Sequence, residues 1–243
     1  MDFPQALRAT RRRRRLSQLD LALRAGTTQR HLSFMESGRS RPGRTMVVRL
    51  GESLDLPLRE RNELLLAAGY APVYPRTALD DPALGHVRAA LERILTGHLP
   101  YPAIVVDAAH EMVLANDAAT RLFSEGVAEH LLRPPVNVLR LALHPRGLAP
   151  RIVDVARWAR HILDRIPRDD LHTELSGYVP HAEPGPDHVG FAAPVRLRSA
   201  RGELRLTTTI TTFATALDVT VAELRLEAFL PADAATAALL SEG

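Results

Sequence analysis

The sequence predicts two parts of different class: an all-α domain first, then an α+β domain built on an antiparallel sheet. Three observations carry this reading. Apolar residues up to about Ala68 recur at helical spacing between recognisable caps. Two prolines in Ala71-Pro72-Val73-Tyr74-Pro75-Arg76 then interrupt that pattern. Beyond residue 100, short apolar runs bounded by turn residues fall into two groups separated by helical stretches. The expected domains are 1–72 and 100–243, with 73–99 as linker and connecting helix.

The stretch from Leu16 to Gly38 reads as two short helices joined by a glycine turn. Ser17 opens the first, with Asp20 three residues on in the reciprocal capping arrangement, and Leu19, Ala22 and Leu23 are its expected packing residues. Gly26 ends it. Thr28 can cap the second helix with its hydroxyl, Leu32 and Met35 share one face, and Gly38 supplies a left-handed stop. Gln29, Arg30, Ser33 and Phe34 then remain outward.

After the prolines, Pro82 to Gly97 reads as an amphipathic helix with Leu84, Val87, Leu91, Ile94 and Leu95 on one side. Ala103–Val106 and Met112–Ala115 form a strand pair around a turn at Asp107 to Glu111, and Asn116-Asp117 leads into a helix over Ala118–Phe123. Ile152 to Ile166 is expected to be helical. Strands are expected at Pro194–Arg198, Glu203–Phe213 and Glu223–Leu230, with Arg201-Gly202 as the hairpin turn between the first two and a short helix from Ala232.

Composition narrows the function classes. At 243 residues, 46% hydrophobic and 24% charged, the chain can bury a core. It has no cysteine, which excludes disulfides, thiolate metal sites and a cysteine nucleophile. No apolar run approaches the roughly 18 residues of a spanning helix, and the N-terminal arginines precede no hydrophobic segment, so a cytoplasmic protein is expected. Residues 1–75 hold 14 Arg against 7 acidic residues, net +7, and the remainder is net −4. The electrostatic footprint of a nucleic-acid binder therefore falls on the first domain. All 31 basic residues are Arg, which favours forked phosphate contacts.

The four outward residues suit base readout. Gln29 can bond bidentately to adenine and Arg30 to guanine, while Phe34 offers an apolar edge to a thymine methyl; a good bidentate pair discriminates by about 1–3 kcal/mol. Ser33 lies on the same face. Gln18, with the free N–H groups of its helix, would hold a phosphate. An ordinary helical hairpin with a solvated polar face is the alternative. The run Arg11 to Arg15 is less specific, because five arginines on a helix spread around most of its circumference.

At these residues the chain resembles the lambda-repressor-like, or Xre-type, helix-turn-helix regulators. The resemblance runs from about Leu7 to Tyr70. It includes Leu16-Ser17-Gln18, Ala22 to Gly26, Leu32 with Glu36-Ser37-Gly38, Ser40-Arg41-Pro42, and an amphipathic helix around Met46 to Leu54. It implies a five-helix domain bound to double-stranded DNA, with Gln29 and Arg30 as base readers and Gln18 on the backbone. It also implies an internal ion pair between Arg11 and Glu36. The uninterrupted Arg11–Arg15 run departs from the family's pattern.

The later segments Pro100–Asp107, Ala115–Ala119 and Asn137–Leu141 with His144-Pro145 resemble the MmyB-like branch of these regulators, as do Leu58–Asn62 and Ala67–Pro72. That resemblance implies a C-terminal PAS-like ligand-binding domain with an antiparallel sheet. Its expected effector is a small hydrophobic molecule, a fatty acid or a similar apolar ligand, with no required cofactor. A homodimer is the expected assembly.

From the residues alone, Asn137, Arg140 and His144 are candidates to clamp a ligand head group, while Phe123, Leu139, Trp158 and Ile162 line an apolar cavity. The alternative reading makes Trp158 a core residue and Asn137 a helix cap. The ten histidines include no pair at metal-ligand spacing, and His110 and His130 read as surface residues. There is no glycine-rich phosphate loop and no nucleophile elbow. Asp169-Asp170 with His172, the nearest approach to a catalytic group, reads as a short acidic turn beginning a helix or a loop. No catalytic or metal residue is expected. An antitoxin-like protein-interaction regulator and an enzyme carrying a DNA-binding appendage are the rival classes.

Overall fold

The computed structural model describes residues 2–179 and 194–241, and these divide into two compact units. Unit one comprises Met1–Asp81 with Ala214–Ala222, and unit two holds Pro82–Phe213 and Glu223–Gly243.

Five helices build the N-terminal part of unit one: α1 (Phe3–Arg13), α2 (Gln18–Arg24), α3 (Gln29–Glu36), α4 (Arg44–Ser53) and α5 (Leu58–Ala67). Asp2 caps α1 through the Gln5 N–H, and Phe3, Leu7 and Arg11 recur at four-residue spacing to face the interior. Ser17 and Asp20 form the reciprocal cap of α2, at 3.1 and 2.9 Å. Leu7, Leu21, Leu32, Met35, Leu50 and Leu65 are completely buried in one core. Each such side chain stabilises the fold by about 1.5–3 kcal/mol over exposure.

Two expectations about these helices are corrected. Ala22 is buried as expected, but Leu19 and Leu23 are 50% and 70% exposed; α2 turns Leu21 inward instead, about 200° around the helix from Leu19. Nor does the arginine run lie on one helix. Arg11 is buried, α1 ends at Arg13, Arg14 is its cap, and Arg15 sits at φ 56°. Arg13 pairs with Glu60, and Arg14 donates to the Asp55 carbonyl at 2.7 Å.

The strap after α5 remains with unit one beyond the expected boundary at residue 72. The Asn62 carbonyl oxygen accepts from the Val73 and Tyr74 N–H groups, both at 3.1 Å, and its amide donates to the Tyr74 carbonyl at 2.7 Å. Asp218 accepts from the Thr77 N–H at 3.0 Å, and the Val219 N–H donates to the Pro75 carbonyl at 2.8 Å. These bonds, with Val219 buried, place the distant segment 214–222 in this unit.

Unit two opens with a 3₁₀ turn (Pro82–Leu84) and α6 (Gly85–Gly97). Next come β1 (Ala103–Val106), β2 (Glu111–Ala115), α7 (Asp117–Ser124), β3 (Val136–Asn137), α8 (Val138–Leu143), α9 (Val155–Leu163) and α10 (Asp170–Tyr178). The tail supplies β4 (Val195–Ser199) and β5 (Gly202–Thr212), then α11 (Val219–Glu223), which belongs to unit one through Ala222, and, back in unit two, β6 (Arg225–Pro231) and α12 (Ala234–Ser241). The strands form one antiparallel sheet in the order β3-β2-β1-β6-β5-β4. This is an α+β, PAS-like arrangement.

One sheet face carries Ile104, Val106, Val195, Leu197, Leu204 and Leu206, packed with Phe123, Leu141 and Leu148. The opposite face presents Ala103, Val105, Leu226 and Ala228, all buried, and α6 lies against β1. On α6 the buried ridge is Val87, Leu91 and Leu95; Ile94 falls on its flank and is 42% exposed. The expected helix over Ile152–Ile166 is shorter. Ile152 instead bridges to Leu197, the Val153 N–H donates to the Arg196 carbonyl at 2.9 Å, and Asp154 turns the chain at φ 58° before α9. Periodicity predicts neither strand β3 nor the helices α8 and α10, and two-residue β3 is too short to show any.

Candidate nucleic-acid interface and effector domain

The second helix of the turn, α3, has sharply different faces. Leu32 and Met35 are completely buried, whereas Gln29 and Arg30 are exposed and Ser33 and Phe34 are half-buried. Thr28 caps it, its hydroxyl accepting from the His31 N–H at 3.1 Å. Gly26, at φ +60°, makes the turn into it, a conformation that costs an L side chain about 1–2 kcal/mol. The Arg30 guanidinium lies 5.4 Å from the Phe34 ring centre. This cation–π contact aligns two of the candidate readers on one side of the helix.

The C-terminal end of α3 is held by a charged network. Arg11 pairs bidentately with Glu36, Nε to Oε1 at 2.6 Å and Nη2 to Oε2 at 2.9 Å. Arg11 also donates to the Leu16 carbonyl at 2.7 Å, and Arg8 donates to the Glu36 carbonyl at 2.9 Å. Gln18 donates its amide to Glu36 Oε2 at 2.8 Å. Burial works against ionising Glu36, but the hydrogen bonds from Arg11 and Gln18 outweigh it, and its pKa is lowered. The hydrogen bond to Glu36 raises that of Arg11. Helices α1, α2 and α3 thus meet at one carboxylate. The Gln18 amide, expected to face phosphate, is engaged inside this network. Nothing in the sequence singles out Arg8, although it shares a helix with Arg11 one turn away.

In unit two the expected clamp does not form as a free trio. Asn137 caps α8, accepting from the Leu139 and Arg140 N–H groups at 3.1 Å, and its amide donates to the Ala109 carbonyl. Arg140 pairs bidentately with Glu174 at 2.8 Å. The hydrogen bonds of Arg140 and Tyr178 hold Glu174 at about 2. His144 accepts from the Arg146 N–H and stands edge-on to His130 and Tyr178. Its pKa is lowered by burial, then by His130 and Arg146. Local helix capping and ion pairing use these groups before any ligand arrives.

The four expected cavity residues belong to the packed interior. Phe123 sits in the sheet-facing cluster and touches Phe229 edge-on at 5.1 Å between ring centres. Leu139 and Ile162 join a second cluster around Leu143 and Leu175, and Trp158 packs against both. His110, expected on the surface, is half-buried at φ 61° beside Arg225; His130 is exposed. Asp169 caps α10 through the His172 N–H at 3.0 Å, a structural account of that acidic turn. Among the described residues, no three His, Asp or Glu gather as metal ligands, and no helix is long and apolar enough to cross a membrane.

Comparison with known proteins places both parts. Residues 87–242 match the family model of the MmyB-like transcription regulator ligand binding domain. Residues 7–61 match a helix-turn-helix model. No curated protein matches the chain. A solved structure of an RNA-binding light-oxygen-voltage receptor is similar at 12% identity and a TM-score of 0.29, covering 99% of this chain and 61% of that one. The chain thus spans about three fifths of that receptor's length, and the likeness is too slight to speak to fold or partner. With a helix-turn-helix domain at its N-terminus and the ligand-binding domain over more than half its length, the chain belongs to the MmyB-like transcription regulators.

Proposed function

We propose that this protein is a cytoplasmic, one-component regulator that binds an operator as a homodimer and changes its DNA affinity when a small hydrophobic effector occupies its C-terminal domain. The effector class is a fatty acid or another molecule with an apolar tail. The five helices of unit one supply DNA binding, and unit two, from Pro82 on and without segment 214–222, binds the effector. The observation that carries this reading is α3, with Gln29 and Arg30 exposed on one side while Leu32, Met35 and Glu36 fix the other. A helix so fixed presents its N-terminal side chains to base edges without first having to be ordered. Thr28 holds the start of that helix, Ser33 and Phe34 extend its reading face, and Gln18 lies where α2 approaches the phosphates.

The mechanism is a two-state shift. An effector changes operator affinity only by binding one arrangement of the protein better than the other.

Selection of operators from random duplexes tests the DNA reading. Arg30→Ala is expected to relax preference at one base pair by about 1–3 kcal/mol, while Gln18→Ala weakens all duplexes alike. Unchanged binding of both variants to selected and random duplexes would overturn the assignment.

A further inference from the structure

Arg30 differs from the arginines of α1 and α2 in what holds it. Arg8 and Arg11 meet Glu36, Arg13 meets Glu60, Arg14 donates to the Asp55 carbonyl, and Arg24 lies 4.0 Å from the Asp55 carboxylate. The Arg30 guanidinium instead lies over the Phe34 ring, 5.4 Å from its centre. The difference is chemical. A carboxylate engages the N–H groups of a guanidinium, which are the same groups that guanine O6 and N7 accept from. An aromatic ring attracts the cation through its π face and uses no N–H.

Phe34 is a fixed platform for that contact. It stands half-buried next to Met35, which is completely buried. The chain leaving α3 folds back on the Phe34 carbonyl, which accepts from the Arg39 N–H at 2.9 Å, the Ser40 N–H at 3.1 Å and the Ser37 hydroxyl at 3.2 Å. Arg30 precedes it by one helical turn, so α3 itself sets cation beside ring. A long side chain gives up rotamer freedom when it docks on a base, and one already resting on a ring gives up less.

We propose that Phe34 is a positioning residue: its ring holds the Arg30 guanidinium on the reading face with its N–H groups left to a base. The preference for guanine at one base pair is then set by the two residues together. Phe34 acts through Arg30 and not by touching a thymine methyl. This inference rests on the reading of α3 as the helix that enters the major groove.

Operators are selected from random duplexes with the full chain, and competition binding then follows duplexes varied one base pair at a time. The guanine position is the one at which Arg30→Ala relaxes preference. There, Phe34→Leu is expected to lower the guanine preference at least about threefold, and Phe34→Tyr to keep it. Trifluorophenylalanine in place of Phe34 keeps the ring's shape but weakens the negative charge of its face. It should lower the preference too, with circular dichroism and affinity for random duplexes unchanged, and it decides the matter where Phe34→Leu disturbs folding. A guanine preference unchanged in Phe34→Leu overturns the proposal. So does one that survives in the trifluoro variant, because shape alone then suffices. Loss confined to a neighbouring thymine overturns it as well and makes Phe34 a base reader. All three leave the DNA reading standing, since Arg30→Ala still relaxes its base pair. If the wild type selects no sequence, or Arg30→Ala leaves every preference unchanged, the reading of α3 falls and the proposal with it.

Discussion

Arg11 and Glu36 show how much of the candidate DNA-binding surface depends on a buried ion pair behind it. The Arg11–Glu36 pair was legible, through resemblance, because a buried acid and a buried base at matching positions are readable as residue types. The Gln18 contact was not, since an amide serves equally as phosphate ligand or internal donor and only geometry decides. Removing one partner of a buried pair strands the other charge, so Glu36→Ala is expected to destabilise the protein by about 3–5 kcal/mol in chemical denaturation at neutral pH. The Glu36 pKa is lowered on folding. Its stabilisation is therefore fully present above the unfolded value of about 4.3 and is lost as pH falls through the lower folded value. Denaturation midpoints measured from pH 6 down to 3 should fall more steeply for the parent than for Glu36→Gln; parallel curves would assign acid sensitivity to other carboxylates.

Elements were legible wherever caps or periodicity were strong. The caps at Ser17 and Thr28 and the strands at Ala103–Val106 and Val195–Ser199 lie within a residue of expectation, because each is specified by its own local chemistry. The corrected elements share a different cause. Ile152 and Val153 share helical spacing with the residues of α9, but pairing with Leu197 and Arg196 draws them into extended backbone. Leu19 and Leu23 fit an apolar helix face with Ala22 as well as Leu21 does; which of them joins Ala22 in the core depends on where α3 and α4 lie. Asn116 shows tertiary use of a local cap. It caps α7 through the Ala119 N–H and also bonds the Ala103 N–H and the Leu95 and Tyr101 carbonyls. After α8 the chain doubles back so closely that a Cβ on Gly147 would collide with the Leu141 carbonyl. Gly147→Ala is accordingly expected to cost at least about 1–3 kcal/mol, read as a lower thermal midpoint; an unchanged midpoint would mean that the α8 turn relaxes freely.

At the scale of the whole molecule, charge separates the parts, with the positive excess confined to the first 75 residues. The proposed homodimer is expected to protect two half-sites one helical turn apart, about 34–36 Å, or a multiple of that spacing. Footprinting of a selected operator, with half-sites moved by five base pairs, checks this: the shift should abolish paired protection, and tolerance of it would point to independently bound monomers. The sequence by itself determined the class of each part, the helical turn with its caps and outward residues, and the charge asymmetry, because these depend on nearest neighbours and composition. Tertiary structure alone decided that segment 214–222 joins the first unit, that Asn137 and Arg140 are held by α8 and Glu174, and that Arg225 and Glu227 share a sheet face with Ile104. Those outcomes depend on strand register and on hydrogen bonds between residues far apart in the chain, such as Thr77 and Asp218, 141 positions apart. Local spacing carries no trace of such partners, since a polar side chain is equally stable in isolation whether it later meets solvent, ligand or another part of the chain.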